Sequence, residues 1–288
     1  MRTVRLGRRE FGPTDTAVMA IVNRTPDSFY DKGATFGTEA ALSAVDRAVA
    51  EGAEIVDIGG VKAGPGQEVD EDEEIRRIVP FVATIRDRHP DVVISVDTWR
   101  SGVAAKAVGA GADLLNDAWA GHDPDLARVA AGTGAGLVCS HAGGLSPRTR
   151  PHRPAYDDVV ADVIATVTGL AERAVSLGVR EDGILIDPAH DFGKNTRHSL
   201  EIPRRLDELA ATGWPVLVAL SNKDFVGETL DVPVDGRLPG TLSATVVSAW
   251  LGARFFRAHQ VRATRQALDM VATIRGHRPP AVCRRGLA

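Results

Sequence analysis

A chain of 288 residues with 44% hydrophobic and 25% charged residues has the composition of an ordinary globular protein, and its net charge of -4 gives no reason to expect a nucleic acid or an acidic membrane as partner. Cys139 and Cys283 are the only cysteines, so neither a disulfide framework nor a cysteine metal site follows, and a reducing cytoplasm is the simplest compartment. No stretch approaches the roughly 18 uninterrupted apolar residues of a membrane span.

Residues 1–16, "MRTVRLGRREFGPTDT", are positively charged with no apolar run behind them, so they read as an N-terminal extension and not as a signal peptide. Short apolar, β-branched runs then alternate with segments of helical period. The runs lie at 17–23, 53–59, 92–98, 112–117, 134–141, 183–188, 215–221 and 253–259. Between the second and third, Ile75, Ile78, Val79, Val82 and Ile85 recur at helical spacing. The longest helical segment is predicted from about Tyr156 to Leu177. Runs that are nearly all apolar belong to a sheet buried on both faces, hence a parallel one. Eight such units predict an α/β fold, a (β/α)8 TIM barrel occupying residues 17–275 as one domain. An open doubly wound sheet is the alternative, because periodicity does not show closure. Residues 276–288, proline-rich and basic, read as a tail.

In such a barrel the C-terminal ends of the strands carry the site. Every one of the eight ends here bears a polar residue: Asn23, Asp57, Asp97, Asn116 with Asp117, His141, Asp187, Ser221 leading to Lys223, and Arg257 with His259. Singly, each has a bland reading. Asp57 and Asp117 equally suit turn capping, and His141 alone reads as structural. Together they divide. Acidic and neutral groups from the middle of the chain (Asp97, Asn116, Asp187) suit a heterocycle offering N–H donors and acceptors. The cations come from near its end (Lys223, Arg257, His259), and of these Arg257 and His259 alternate along the strand and suit phosphate oxygens. No cluster has transition-metal spacing, whereas Mg²⁺ held mainly by water and phosphate is compatible with Asn23 nearby.

Several ordered motifs at these ends resemble the dihydropteroate synthases, pterin-binding (β/α)8 barrels. "MAIVNRTPDSFYDKG" is similar to that family's first loop and "DIGG…PG" to its second. "SVDT" and "ND" match the third and fourth strand ends. "DPAHDFGK" resembles D-P-G-x-G-F-G-K, and "LSNKDF" resembles S-R-K-S or S-R-K-R. "GARFFRAHQVRATRQAL" resembles the family ending. The likeness runs from about Ala17 to Met270. It implies joining of 6-hydroxymethyl-7,8-dihydropterin pyrophosphate to p-aminobenzoate, with Mg²⁺ and release of pyrophosphate. By matching motif, Asp97, Asn116, Asp187, Phe192 and Lys223 would hold the pterin. Asn23, Arg257 and His259 would hold pyrophosphate, Asn23 also the metal, and Lys223, Arg257 and His259 would act in catalysis. The resemblance further implies a homodimer, for which "TLSATVVSAWLGA" offers an apolar helix face.

The chain departs from the pattern where the second substrate would lie. The family's second loop has Glu-Ser-Thr-Arg where this chain has Val61, Lys62, Ala63 and Gly64, and the missing hydroxyl and guanidinium help close the p-aminobenzoate site. A flexible Lys62 does not replace a planar fork. In the first loop Arg24 and Lys32 replace an aliphatic residue and a glycine, while Phe29 and Asp31 are kept. After Ser221 and Lys223, Asp224 replaces serine or arginine, and Asn222 replaces arginine. Two carboxylates about 4 Å apart repel by roughly 4 kcal/mol at an effective dielectric of ~20, which predicts binding weaker by up to about three decades. "AHD" at 189–191 fills a segment with two glycines in the family. The expectation is therefore a divergent paralogue that binds a dihydropterin or its pyrophosphate, with weak or no synthase activity. The alternatives are a working synthase with unusual loops, an enzyme with another second substrate, and a non-catalytic pterin-binding or partner-binding protein.

Overall fold

The computed structural model describes residues 2–25, 37–149 and 153–286. Phe29, Asp31 and Lys32 of the first loop lie outside the described residues. The chain opens with an antiparallel hairpin, β1 (Val4–Leu6) and β2 (Arg9–Phe11). Gly7 makes its turn possible: its φ is +55°, and a Cβ there would lie 2.2 Å from the Asp113 carboxylate.

Eight parallel strands follow: β3 (Ala17–Asn23), β4 (Ile55–Gly59), β5 (Val93–Asp97), β6 (Leu114–Asp117), β7 (Gly136–Ser140), β8 (Ile184–Asp187), β9 (Leu217–Val218) and β10 (Phe255–Ala258). They pair in the order β8-β7-β6-β5-β4-β3-β10-β9. A parallel bridge between Ile186 and Val216 joins the two ends of that order, so the sheet closes and the open alternative is excluded. The helices are α1 (Thr38–Ala50), α2 (Glu71–Arg88), α3 (Ser101–Gly109), α4 (Leu126–Thr133), α5 (Val159–Ser176), α6 (Thr196–Arg204), α7 (Leu206–Ala211), α8 (Asp224–Leu230), α9 (Leu238–Trp250) and α10 (Val261–Ile274). Side chains of Asp70 and Asp158 accept from backbone N–H groups of the first turns of α2 and α5 and fix where these helices begin.

Alternation along the strands sorts the barrel wall into two cores. Val18, Val56, Ile94, Leu115, Cys139 and Ile186 face outward onto the helices. Met19, Ile55, Val93, Leu114, Val138, Leu185, Leu217 and Phe255 face inward, where Val4, Leu6 and Phe11 of the hairpin join them. The hairpin thus packs into the barrel's base. Arg254, 4% exposed, fastens the segment by donating to the carbonyls of Arg2, Phe11, Gly12 and Asp15.

Two residues further along six of the eight strands, the inward position becomes polar. Ile55 gives way to Asp57, Val93 to Ser95, Leu114 to Asn116, Val138 to Ser140, Leu185 to Asp187 and Phe255 to Arg257. The interior therefore passes from hydrocarbon to hydrogen-bonding groups in one step, and that step is the floor of the mouth.

Candidate ligand site at the barrel mouth

Asp57 is at the centre of this floor, with its side chain fully buried. The Ser95 hydroxyl donates to it at 2.6 Å, the Asn116 amide at 3.3 Å and Arg257 Nε at 2.6 Å. Arg257 uses its other arm on Asp97, with Nη2 3.0 Å from Oδ2. Asp97 and Arg257 are the accessible part of this cluster, at 23% and 18% exposure. Burial raises the Asp97 carboxyl to about 7, with Asp57 adding to the rise and Arg257 opposing it. Burial lowers the Arg257 pKa, and the charges of Asp57 and Asp97 more than restore it.

Asp187 enters from the next side of the ring. Its Oδ1 accepts from the Ala189 amide at 2.7 Å, and burial raises its pKa while Lys223 opposes the rise. Lys223 donates to the His190 carbonyl, and its ammonium lies 4.9 Å from the centroid of the Phe192 ring. Phe192 packs edge-on against Trp119 at 5.1 Å. At the rim, His259 Nδ1 is 3.0 Å from Ser221 Oγ. Asn23 pairs in register with Gly59, where a Cβ would lie 3.4 Å from its Oδ1. The residues expected to meet the two ends of a ligand thus surround one opening.

Two strand-end residues take the bland reading. Asp117 turns onto its own loop and accepts from the Trp119 and Gly121 amides at 3.0 and 2.6 Å. His141 and Lys194 are buried, in a chain that ends at the half-exposed Asp162 on α5. Lys194 Nζ contacts His141 Nδ1 at 2.7 Å, and His141 Nε2 contacts Asp162 at 2.7 Å. A charged Lys194 can only donate, so Nδ1 is the acceptor and Nε2 carries the proton. Lys194 also donates to the carbonyls of His141, Ala189 and Phe192 and so holds the loop after β8 in shape.

The second-substrate side differs from the floor. Ala63 is exposed, and a Cβ at Gly64 would meet nothing within 4 Å. The loop thus has room for larger side chains that this chain lacks. Asp224 does not stand as the bare carboxylate expected: it is 67% exposed and pairs with Arg237 at 3.0 Å, which screens the predicted repulsion. The carboxylate at the start of α8 belongs to Asp191. Its Oδ2 accepts from the Asp224 and Phe225 amides at 2.8 and 3.4 Å, and its Oδ1 accepts from Ser199 Oγ at 3.0 Å. Asp191 and Ala189 keep left-handed backbone, with φ of +68° and +49°, which suits glycine better. Hydrogen bonds accepted by the Asp191 carboxylate offset that strain.

A model of the pterin binding enzymes matches residues 19–259. The chain belongs to the pterin-binding enzyme family. Within it, the chain is similar to the inactive dihydropteroate synthase 2 of Mycobacterium leprae, 62% identical over 275 residues that cover 94% of both chains. It also resembles the crystal structure of Yersinia pestis dihydropteroate synthase in a sulfonamide drug complex, with a TM-score of 0.90 and 34% identity over 96% of this chain and all of that one. A third relative is the Xanthomonas albilineans synthase in complex with 7,8-dihydropteroate, with a TM-score of 0.83 and 32% identity over 98% of this chain and all of that one. Membership of this family accounts for the ordered polar strand ends. It does not account for Asp191, which occupies a position where the family motif has glycine. That contact was beyond sequence reading, because nothing along the chain says that residue 191 touches residues 224 and 225.

Proposed function

We propose that this chain is a dihydropteroate synthase-like protein that binds a dihydropterin, or its pyrophosphate, in the barrel mouth and has little or no dihydropteroate synthase activity. The carrying observation is the contrast between the two halves of the mouth. The floor from Asp57 through Arg257, Asp97, Asn116, Asp187 and Lys223 is complete and internally ordered. The facing side has Ala63 and Gly64 on an open loop, and its own Asp191 carboxylate already takes the first amides of α8. The inactive M. leprae relative supports this reading.

In this reading Asp187 and Asp97 accept from the ring N–H groups of the heterocycle, and Lys223 donates to a ring acceptor. Arg257, steered by Asp57, and His259 meet the negative charge on phosphate oxygens. An incoming aryl carboxylate finds neither the threonine hydroxyl nor the arginine that the family's second loop supplies. Among the described residues no three His, Cys, Asp or Glu side chains form a metal site; a Mg²⁺ ion would be held by the ligand's phosphates and water, with Asn23 contributing its carboxamide oxygen. The ion would supply charge neutralisation of the leaving group.

The cytoplasm suits a pterin ligand and the two free cysteines, Cys139 and Cys283. Among the described residues no helix is long and apolar enough to cross a membrane. A homodimer is part of the same proposal. Val247 and Trp250 on α9, with Met270 and Ile274 on α10, are 47–60% exposed on neighbouring helices. Light scattering of the purified chain reads the oligomeric state directly.

The deciding experiment measures pyrophosphate release from 6-hydroxymethyl-7,8-dihydropterin pyrophosphate and Mg²⁺, with and without p-aminobenzoate, beside a calorimetric titration of the pterin. Pterin binding with no p-aminobenzoate-dependent release is expected. Robust p-aminobenzoate-dependent turnover overturns the inactivity, and absence of pterin binding overturns the whole reading.

A further inference from the structure

Ser140 ends β7 between the strands that carry Asn116 and Asp187. It pairs in register with Asp187, and Val138, two residues below it, pairs with Asn116. Val138 belongs to the inward core and Cys139 to the outward one, so strand parity turns the Ser140 side chain into the barrel. It is 1% exposed, and its Oγ has no hydrogen-bond partner among the described residues.

That sets it apart from its equivalents in the same polar step. Ser95 is as buried as Ser140, and its hydroxyl donates to Asp57 at 2.6 Å. Asn116, Asp187 and Arg257 each have a partner within 3.3 Å. A buried hydroxyl left unpaired is destabilising, and alanine or cysteine would fill this position without that cost. An unmatched hydroxyl beside two ligand-directed groups is accounted for by a ligand atom.

We propose that Ser140 is a further ligand-binding and specificity-determining residue, whose hydroxyl reads a ring carbonyl or ring nitrogen of a fused nitrogen heterocycle next to the N–H groups that Asp187 accepts. The inference rests on the pterin reading above and names a contact within it. An ionised Asp187 only accepts, and Lys223 only donates. A hydroxyl does both, so Ser140 fits the boundary between a donor and an acceptor on the ring edge. It therefore favours heterocycles with adjacent N–H and C=O or C=N groups over purely aromatic or sugar ligands.

The test uses the full chain and 6-hydroxymethyl-7,8-dihydropterin as probe, with calorimetric titration and thermal unfolding of Ser140→Ala and Ser140→Thr. Ser140→Ala is expected to bind the probe about three- to tenfold more weakly, while its unliganded melting temperature stays level or rises. Ser140→Thr keeps the hydroxyl and is expected to stay nearer the parent affinity than alanine does. Probe affinity within twofold of the parent in Ser140→Ala overturns the inference and leaves the pterin reading standing. A drop in unliganded melting temperature with unchanged affinity also overturns it, by making the hydroxyl structural. Absence of probe binding by the unaltered chain overturns both.

Discussion

Arg257 is held by Asp57 at 2.6 Å from the neighbouring half of the barrel wall, and the same guanidinium reaches Asp97 at 3.0 Å. One cation thus serves a fully buried carboxylate with one arm and a half-open one with the other. Asp57 fixes the arginine, and Asp97 and the arginine are the partly exposed members of the cluster.

Removing the cation should therefore cost stability as well as binding. Arg257→Met leaves the Asp57 charge buried and unpaired, and truncating one partner of such a pair typically costs about 3–5 kcal/mol. Asp57→Asn together with Arg257→Met should recover much of that loss. Urea unfolding of the four proteins of this cycle measures the coupling, and additive losses would show that the pair does not act as a unit.

Rebuilding the second loop alone should not create a synthase. Gly64 has open space around a Cβ and no positive φ, so Ala63→Thr with Gly64→Arg should fold normally. The expected gain in p-aminobenzoate-dependent pyrophosphate release is less than about tenfold. Adding Asp191→Gly removes the internal carboxylate and suits the left-handed backbone at that residue, and should raise release further. A full gain from the loop pair by itself would show that Asp191 is no obstacle.

Pterin affinity should rise with pH through about 7. Burial raises the Asp97 carboxyl to that value, and only its ionised form accepts two N–H groups at once. Below pH 7 the loss approaches about tenfold per unit for a single required deprotonation. Titrations between pH 5.5 and 8.5 read this, and Asp97→Asn should flatten the profile as well as weaken binding. A flat profile for the unaltered chain would remove Asp97 from the ligand contacts.

Titration of the buried His141 and Lys194 should make its own contribution to the pH dependence of stability. Burial lowers His141 to about 4, with the Lys194 charge adding to the effect, and lowers Lys194 to about 7. The unfolded chain binds protons at both groups more readily, so stability rises with pH from about 4 to 6.5 for His141. It rises again above about 7 for Lys194. The histidine contribution is on the order of 3 kcal/mol, lost as pH falls from 6.5 towards 4. The raised carboxyls of Asp97 and Asp117 contribute with the opposite sign over this window, so the histidine contribution is read as the difference in slope between the parent and His141→Gln in guanidinium melts.

Much of the fold was legible because hydrophobic burial writes itself along the chain. The expected strand at 112–117 appears as Leu114–Asp117 and that at 17–23 as Ala17–Asn23. The run at 215–221 shrinks to Leu217–Val218, with Val216 taking the bridge that closes the barrel. Closure was illegible, since the Ile186–Val216 bridge joins strands that a periodic pattern leaves equally free to end a sheet. The hairpin left a faint trace in the buried Val4, Leu6 and Phe11, too short to separate from an irregular extension. In the site, the charged strand ends announced themselves against apolar runs. Asp57 did so without revealing its partners, and Ser140 did not, because a serine at a strand end is common and its significance lies in what it fails to touch.

The hairpin lodged in the base of the barrel makes the molecule a one-ended vessel. Val4, Leu6 and Phe11 merge with the inward side chains of the strands, and the Arg254 clamp keeps them there. Anything seated on Asp57's layer must arrive and depart past the rim formed by Ser221 and His259. Two ligands sharing this mouth would obey a last-in, first-out sequence. An occupant at the rim then lengthens the residence of the deeper one with no change in the deeper contacts. In such an arrangement the base sets the order of exchange without meeting either ligand.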